Sequence, residues 1–265
     1  MALVFAGIVT HTPVLMPNIG QDAIKLIDKT KTSMERLGQQ LQTAKPDILV
    51  MISPHGEVLP DAVSINLNSR YDSRFDEFGD LTTKKTWRPA TMLIDRFRED
   101  FKRYDLPLAL VSDEYLDYGT SVPLCYLTEN LPHIKIVPMH PSSQLSVETH
   151  FKIGQALRSE IDSSTSRIAV LASADLSHRV GENSPEGLSP KGIAFDEKVQ
   201  EILRDKNPVG FLDVDQAWIK EAGSCSAMVL AILFGLLDGI QHESEILSYE
   251  KPLGVGYLVA TIHLS

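Results

Sequence analysis

Leu3-Val4-Phe5-Ala6-Gly7-Ile8-Val9-Thr10-His11-Thr12-Pro13 is the stretch from which the rest of the chain is best read. A continuous apolar run closed by a turn signal predicts a buried strand. Pro13 cannot continue the ladder, so the strand stops just past a histidine. Ligands of open α/β sheets collect at the carboxyl ends of the strands. His11 therefore stands where chemistry is done, although a lone histidine at a strand end is more often a packing or capping residue. The chain has to supply it with partners.

Working outward, Ile24, Ile27, Met34, Leu37 and Leu41 recur at helical spacing and predict a helix over Asp22–Gln42. Ile48-Leu49-Val50-Met51-Ile52 then predicts a second buried strand, ending in Ser53-Pro54-His55-Gly56-Glu57. Strand, helix, strand implies a right-handed parallel crossover. Both strands then finish on one edge of the sheet, and His11 and His55 belong to one crevice. Further strands are predicted over Ala62–Leu67, Leu108–Val111, Ile134–His140 and Ile168–Ala172, the last running into Ser173-Ala174-Asp175-Leu176-Ser177-His178. Helices are predicted over Pro89–Arg103 (proline in its first turn), Val147–Asp162, Phe195–Asp205, Asp215–Glu221 and the strongly apolar Ser226–Leu237. Asp117–Leu124 reads as a loop leading into another helix. The excursion Asn68–Thr86, with Tyr71, Phe75 and Phe78 and Trp87 just after it, reads as a hairpin or lid near the site. Gly181–Gly192 reads as an exposed loop, and Glu245–Glu250 with Gly254–Ile262 as a closing antiparallel pair. There is no internal repeat or low-complexity tract, so the fold class expected is α/β: one domain across residues 1–265, a mixed, largely parallel sheet flanked by helices.

The 265 residues, 43% hydrophobic and 23% charged, have the composition of an ordinary globular protein. A formal net charge of -10 argues against a nucleic-acid partner. No apolar run reaches membrane-spanning length, so no membrane partner is expected. Two cysteines a hundred positions apart, Cys125 and Cys225, make no disulfide framework and point to the cytoplasm.

Three predicted strands thus lead into His11, His55 and His178. Histidine both binds transition metals and moves protons near neutral pH. Two histidines plus one anionic ligand, with open positions, describe a non-haem Fe(II) site. The anionic ligand could be Glu57, Asp175, Glu221 or Cys225, and spacing does not choose among them. Cys125 reads as core, His140 as peripheral to the site, and His133, His150, His242 and His263 as structural or surface residues.

Ile8-Val9-Thr10-His11-Thr12-Pro13, Ser53-Pro54-His55-Gly56, Gly119-Thr120-Ser121-Val122-Pro123-Leu124 and Ser173-Ala174-Asp175-Leu176-Ser177-His178 occur in the order seen in class III extradiol ring-cleavage dioxygenases, the LigB superfamily. The chain resembles in particular the Memo-like branch, whose bacterial members are called AmmeMemoRadiSam system protein B. Glu250-Lys251-Pro252-Leu253-Gly254-Val255-Gly256-Tyr257 is similar to that group as well. The resemblance covers nearly the whole chain. It implies a LigB-like fold, with His11 and His55 as the two histidine ligands of Fe(II) and His178 as the acid/base beside the substrate hydroxyl. The family's third ligand is a glutamate at the start of the late apolar helix. Matching helix to helix puts Cys225 there, as in Memo-like proteins, with Glu221 one turn earlier as its rival.

Two departures follow from the same match. A thiolate third ligand favours Zn or Cu over a carboxylate-type Fe(II) site and is open to oxidation. Tyr118 stands where many dioxygenases have the histidine of an Asp-His-Gly-Thr run. A tyrosine titrating near ~10 cannot be a near-neutral acid/base, but it can donate a hydrogen bond. The implied activity is oxidative cleavage of a catechol-type ring. The alternative is a Memo-like protein using the pocket for peptide or ligand binding, or for hydrolytic or redox chemistry at a metal. The partners expected are a small aromatic substrate or a peptide, with a homo-oligomer left open.

Overall fold

A computed structural model describes residues 2–184 and 186–264. The strands are β1 (Leu3–Val9), β2 (Ile48–Ile52), β3 (Val63–Asn66), β4 (Tyr71–Ser73), β5 (Thr86–Pro89), β6 (Leu108–Val111), β7 (Tyr115–Leu116), β8 (Lys135–His140), β9 (Ile168–Ser173), β10 (His242–Glu250) and β11 (Tyr257–Leu264). The helices are α1 (Pro17–Gly20), α2 (Asp28–Ala44), α3 (Thr91–Arg103), α4 (Tyr118–Leu127), α5 (Val147–Asp162), α6 (Pro190–Asp205), α7 (Gln216–Ala222) and α8 (Ala227–Leu237). The strands form one mixed sheet in the order β10-β11-β1-β9-β2-β8-β5-β4-β7, with β3 and β6 branching from β8.

The crossover inferred from sequence is present: β1 and β2 both run parallel to β9, which lies between them. Sandwiched strands must be apolar on both faces, and β1 divides its side chains accordingly. Phe5 and Val9 enter the core beneath α2 and α4, while Ala6 and Ile8 enter the core beneath α3, α5, α6 and α8. Each large side chain buried this way stabilises the fold by about 1.5–3 kcal/mol. On the second face α5 and α8 cross at van der Waals contact. A Cβ at Gly154 would overlap the Ile232 carbonyl, and one at Gly235 the Phe151 carbonyl.

Several boundaries differ from the sequence expectation. The helix expected from Asp22 begins as a 3-10 segment, Gln21–Ile27, and becomes α-helical only at Asp28. Pro89 does not open α3. It closes β5, where it faces Ile136 and needs no N–H at the strand's end. Asp117–Leu124 is mostly helix, because Asp117 caps α4 by accepting the Thr120 N–H. Ser189 and Pro190 start α6 earlier than expected, within the loop predicted to reach Gly192. Pro138 survives inside β8 because its donor-free backbone falls between β5, which pairs at Lys135 and Ile136, and β3, which pairs at Met139 and His140. The closing pair is antiparallel as expected. Among the described residues, no helix is long and apolar enough to cross a membrane.

Candidate metal centre

At the carboxyl end of β1 the chain is held by the Asp175 carboxylate just beyond β9. That carboxylate accepts the Thr10 hydroxyl and, at 3.1 Å, the His11 backbone N–H. The His11 ring is held by Ser173, whose Oγ lies 3.0 Å from Nδ1 and donates its proton to the Gly119 carbonyl at 2.5 Å. That carbonyl is free for a sequence reason. Pro123 sits four residues later inside α4 and has no N–H to close the helical bond. Since the serine proton is spent on Gly119, Ser173 can only accept from His11. His11 is thereby the Nδ1–H tautomer, and its Nε2 lone pair faces the crevice.

His55 arrives from the turn after β2. Its Nε2 lies 3.1 Å from His11 Nε2 and 2.9 Å from the Tyr118 hydroxyl, and its ring stacks on Tyr118 with centroids 4.3 Å apart. Asp117, the cap of α4, also accepts the Ser53 hydroxyl, tying the β2 turn to the start of α4. Cys225 enters from the turn between α7 and α8, with Sγ 3.9 Å from His11 Nε2 and 3.7 Å from His178 Nε2. Ser177 beside His178 bridges Ser224 beside Cys225, so these two short segments are paired.

Burial sets the protonation states. Desolvation lowers the pKa of His11 and outweighs the Asp175 carboxylate 3.7 Å from Nε2, so His11 is neutral. Burial, then the adjacent His11, pushes His55 down to about 4. Burial, then Asp175, pushes the Cys225 thiol up to about 12. Burial also lifts Tyr118 above the ordinary tyrosine range, so the phenol keeps its proton.

His11, His55 and Cys225 each offer one ligand atom, and these lie within 4.8 Å of one another. Ligands at ordinary zinc distances on a tetrahedron are roughly 3.3 Å apart for two nitrogens and roughly 3.6 Å for nitrogen and sulfur. The observed 3.1 Å and 3.9 Å lie near these edges, and the third, between His55 and Cys225, closes within 4.8 Å. Two neutral imidazoles facing each other with Nε2 atoms in contact also form a ready receptor for a cation, which would displace the thiol proton. The donor set fits a metal ion.

Of the residues singled out from sequence, the structure brings together His11, His55, Cys225, His178 and Tyr118. It does not bring Glu221 to them. That side chain is exposed at the end of α7, and the chain turns at Gly223 before delivering Cys225. Glu57 is exposed at the rim of a cleft of about 310 Å³, also lined by His55, Tyr118, Arg74 and His140. Asp175 serves as an anchor for Thr10 and His11. The Asn68–Thr86 excursion does reach the site, with Phe78 edge-on to Tyr118 at 5.2 Å. His140, read as peripheral, is instead 3% exposed and packed beside the His55 turn. Ser173 and Asp117 escaped the sequence reading as site residues. Pro123, helical by context and four residues past Gly119, was the available signal for the first.

The chain belongs to the family described as the catalytic LigB subunit of aromatic ring-opening dioxygenase, whose model matches residues 6–260. It is similar to Protein CA_C1420 of Clostridium acetobutylicum, with 26% identity over 256 residues that cover 93% of this chain and 54% of that protein. The chain therefore spans about half the length of that relative. The solved structure of an uncharacterized Escherichia coli protein, JW3007, shares the fold with a TM-score of 0.64 and 19% identity, over 87% of this chain and 91% of that one.

Proposed function

We propose that this chain is an Fe(II)-dependent oxygenase of the extradiol type that opens a catechol-type aromatic ring. The observation that carries this reading is the meeting of His11, His55, Cys225 and His178 within a few ångströms at the strand ends of a LigB-family fold. Bound by His11, His55 and Cys225, the ion would supply a Lewis acid and a template for substrate and dioxygen. The chain's own residues do the rest. Ser173 fixes the His11 tautomer. His178 Nε2, facing the Cys225 side of the crevice, accepts the proton of a substrate hydroxyl and returns it later in the reaction. Tyr118, protonated and 2.9 Å from His55 Nε2, donates its O–H to a substrate oxygen once the histidine's lone pair is engaged. The adjoining cleft holds the ring.

Cys225 favours a second reading. A thiolate ligand suits Zn or Cu, and the same pocket would then serve hydrolytic or redox chemistry, or Memo-like ligand binding. The deciding experiment is the metal content of freshly purified protein beside His55→Ala and Cys225→Ala, followed by anaerobic loading with Fe(II) and a catechol panel in air. Metal lost in both variants together with ring cleavage supports the oxygenase. Metal without turnover supports the second reading's metal chemistry, and neither supports ligand binding alone. Unchanged metal content in both variants would sink the ligand assignment.

A further inference from the structure

One group in the crevice that the proposed chemistry leaves unused is His140, the last residue of β8. Its ring is held from one side only. Nδ1 lies 3.1 Å from the Ser53 carbonyl and 3.9 Å from Asp117 Oδ2, and both are acceptors. The proton must therefore sit on Nδ1, and Nε2 carries the lone pair. That atom has no hydrogen-bond partner among the described residues, nor does it rank among their sealed, unsatisfied polar atoms, which are Glu160 Oε1, Ser244 Oγ and Ser248 Oγ. The residue is 3% exposed and lines the cleft that His55 and Tyr118 share.

His150 provides an internal contrast. It too is fully buried, but both its nitrogens are satisfied, Nδ1 by the Ser146 carbonyl at 2.9 Å and Nε2 by the Ser142 N–H at 3.0 Å. That is how a packing histidine is built, since an unmade bond at a buried polar atom is costly. His140 departs from that pattern on the side that opens to the cleft. The space it occupies is also reserved for it. A Cβ at residue 56 would overlap the imidazole, so Gly56, next to the ligand His55, lets the ring lie directly against the turn.

We propose that His140 is a substrate-binding residue whose Nε2 accepts a hydrogen bond from a hydroxyl of the ligand in the cleft. This rests on the reading of the cleft as the site of a hydroxylated ring, and it deepens that reading. The occupant must present a donor toward β8 as well as oxygens toward His11 and His55. A ligand lacking that hydroxyl covers Nε2 without pairing it and is discriminated against.

The test uses the metal-loaded protein with catechol as probe, comparing wild type, His140→Leu and His140→Gln, with metal content measured alongside. His140→Leu should weaken catechol binding about tenfold or more, the cost of an unpaired hydroxyl, at unchanged metal content. His140→Gln, whose amide oxygen can accept, should recover most of the loss. Unchanged affinity in His140→Leu, or equal loss in both variants with loss of metal, overturns the proposal. Carbethoxylation mapped by mass spectrometry separates this from failure of the wider reading. If wild type does not bind catechol, the oxygenase reading fails, while a reactive His140 beside an inert His150 still supports an open Nε2. An inert His140 overturns the proposal in either case.

Discussion

Ser173→Ala removes one oxygen atom and should disable the centre without touching a ligand. The hydroxyl accepts from His11 Nδ1 at 3.0 Å and donates to the Gly119 carbonyl at 2.5 Å, in a fully buried setting. Without it, the Nδ1–H and the carbonyl both lose their partner, and a buried unsatisfied group costs about 1–3 kcal/mol. His11 can escape part of that cost by moving its proton to Nε2, where the Asp175 carboxylate stands 3.7 Å away. The escape points the wrong nitrogen at the crevice. Loss of such an outer-shell partner lowers metal affinity about 10- to 100-fold, equivalent to about 1.4–2.7 kcal/mol. Chelator-competition titration with Zn(II) or anaerobic Fe(II) reads the affinity, and urea unfolding of the metal-free protein reads the stability. A variant that loses stability as expected yet binds metal within twofold of wild type would refute the tautomer argument and leave Ser173 as packing only.

Other expectations follow from the same structure. Pro123→Ala restores an N–H that can bond the Gly119 carbonyl, drawing it away from Ser173. Metal affinity should fall, by less than in Ser173→Ala, while the stability of the metal-free fold holds or rises; an unchanged affinity would show that the carbonyl does not steer the serine. Asp196, buried between the Ser177 N–H and the Tyr249 hydroxyl, is raised by desolvation to about 7. The folded chain then holds a proton that the unfolded chain releases near ~4, so stability should fall by a few kcal/mol (order of magnitude) as pH rises from about 4 to about 7. Asp196→Asn should flatten that fall in urea titrations across pH, and an equally steep profile in the variant would contradict the assignment. Gly154→Ala should separate α5 from α8 at a cost of about 1–3 kcal/mol, read by the urea midpoint, with metal affinity little changed.

The centre of the sheet was legible because strands buried on both faces must be unbroken apolar runs, and β1, β2 and β9 are such runs. Strand, helix, strand then placed His11 and His55 on one edge before any contact was known. The margins were not legible. β4, β5 and β7 are two to four residues long, too short to show a period, and β5 joins the sheet only by pairing with the first residues of β8, Lys135 and Ile136. Pro89 carries the same signal whether it ends a strand or begins a helix. Spacing alone did not choose between Glu221 and Cys225, and only the family match favoured the cysteine; in space the short paired bridge between Ser177 and Ser224 brings Cys225, not Glu221, to the histidines. His140 looked peripheral because its meaning comes from what Nδ1 touches, the carbonyl of a residue eighty-seven positions away.

The centre draws on residues from opposite ends of the chain, His11 and Cys225 being 214 positions apart. The ligands are nevertheless held by contacts that need no ion, Ser173 on the His11 ring and the Ser177–Ser224 bridge beside Cys225. The metal is thus a passenger of folding and not its template, and a chelator should strip the ion while leaving the protein folded. The same distance orders events during synthesis. β1 is made before both of its sheet neighbours, since its place lies between β9 and β11. Until both are made, its apolar run has no partner on either edge and is exposed to the misassociation that chaperones suppress.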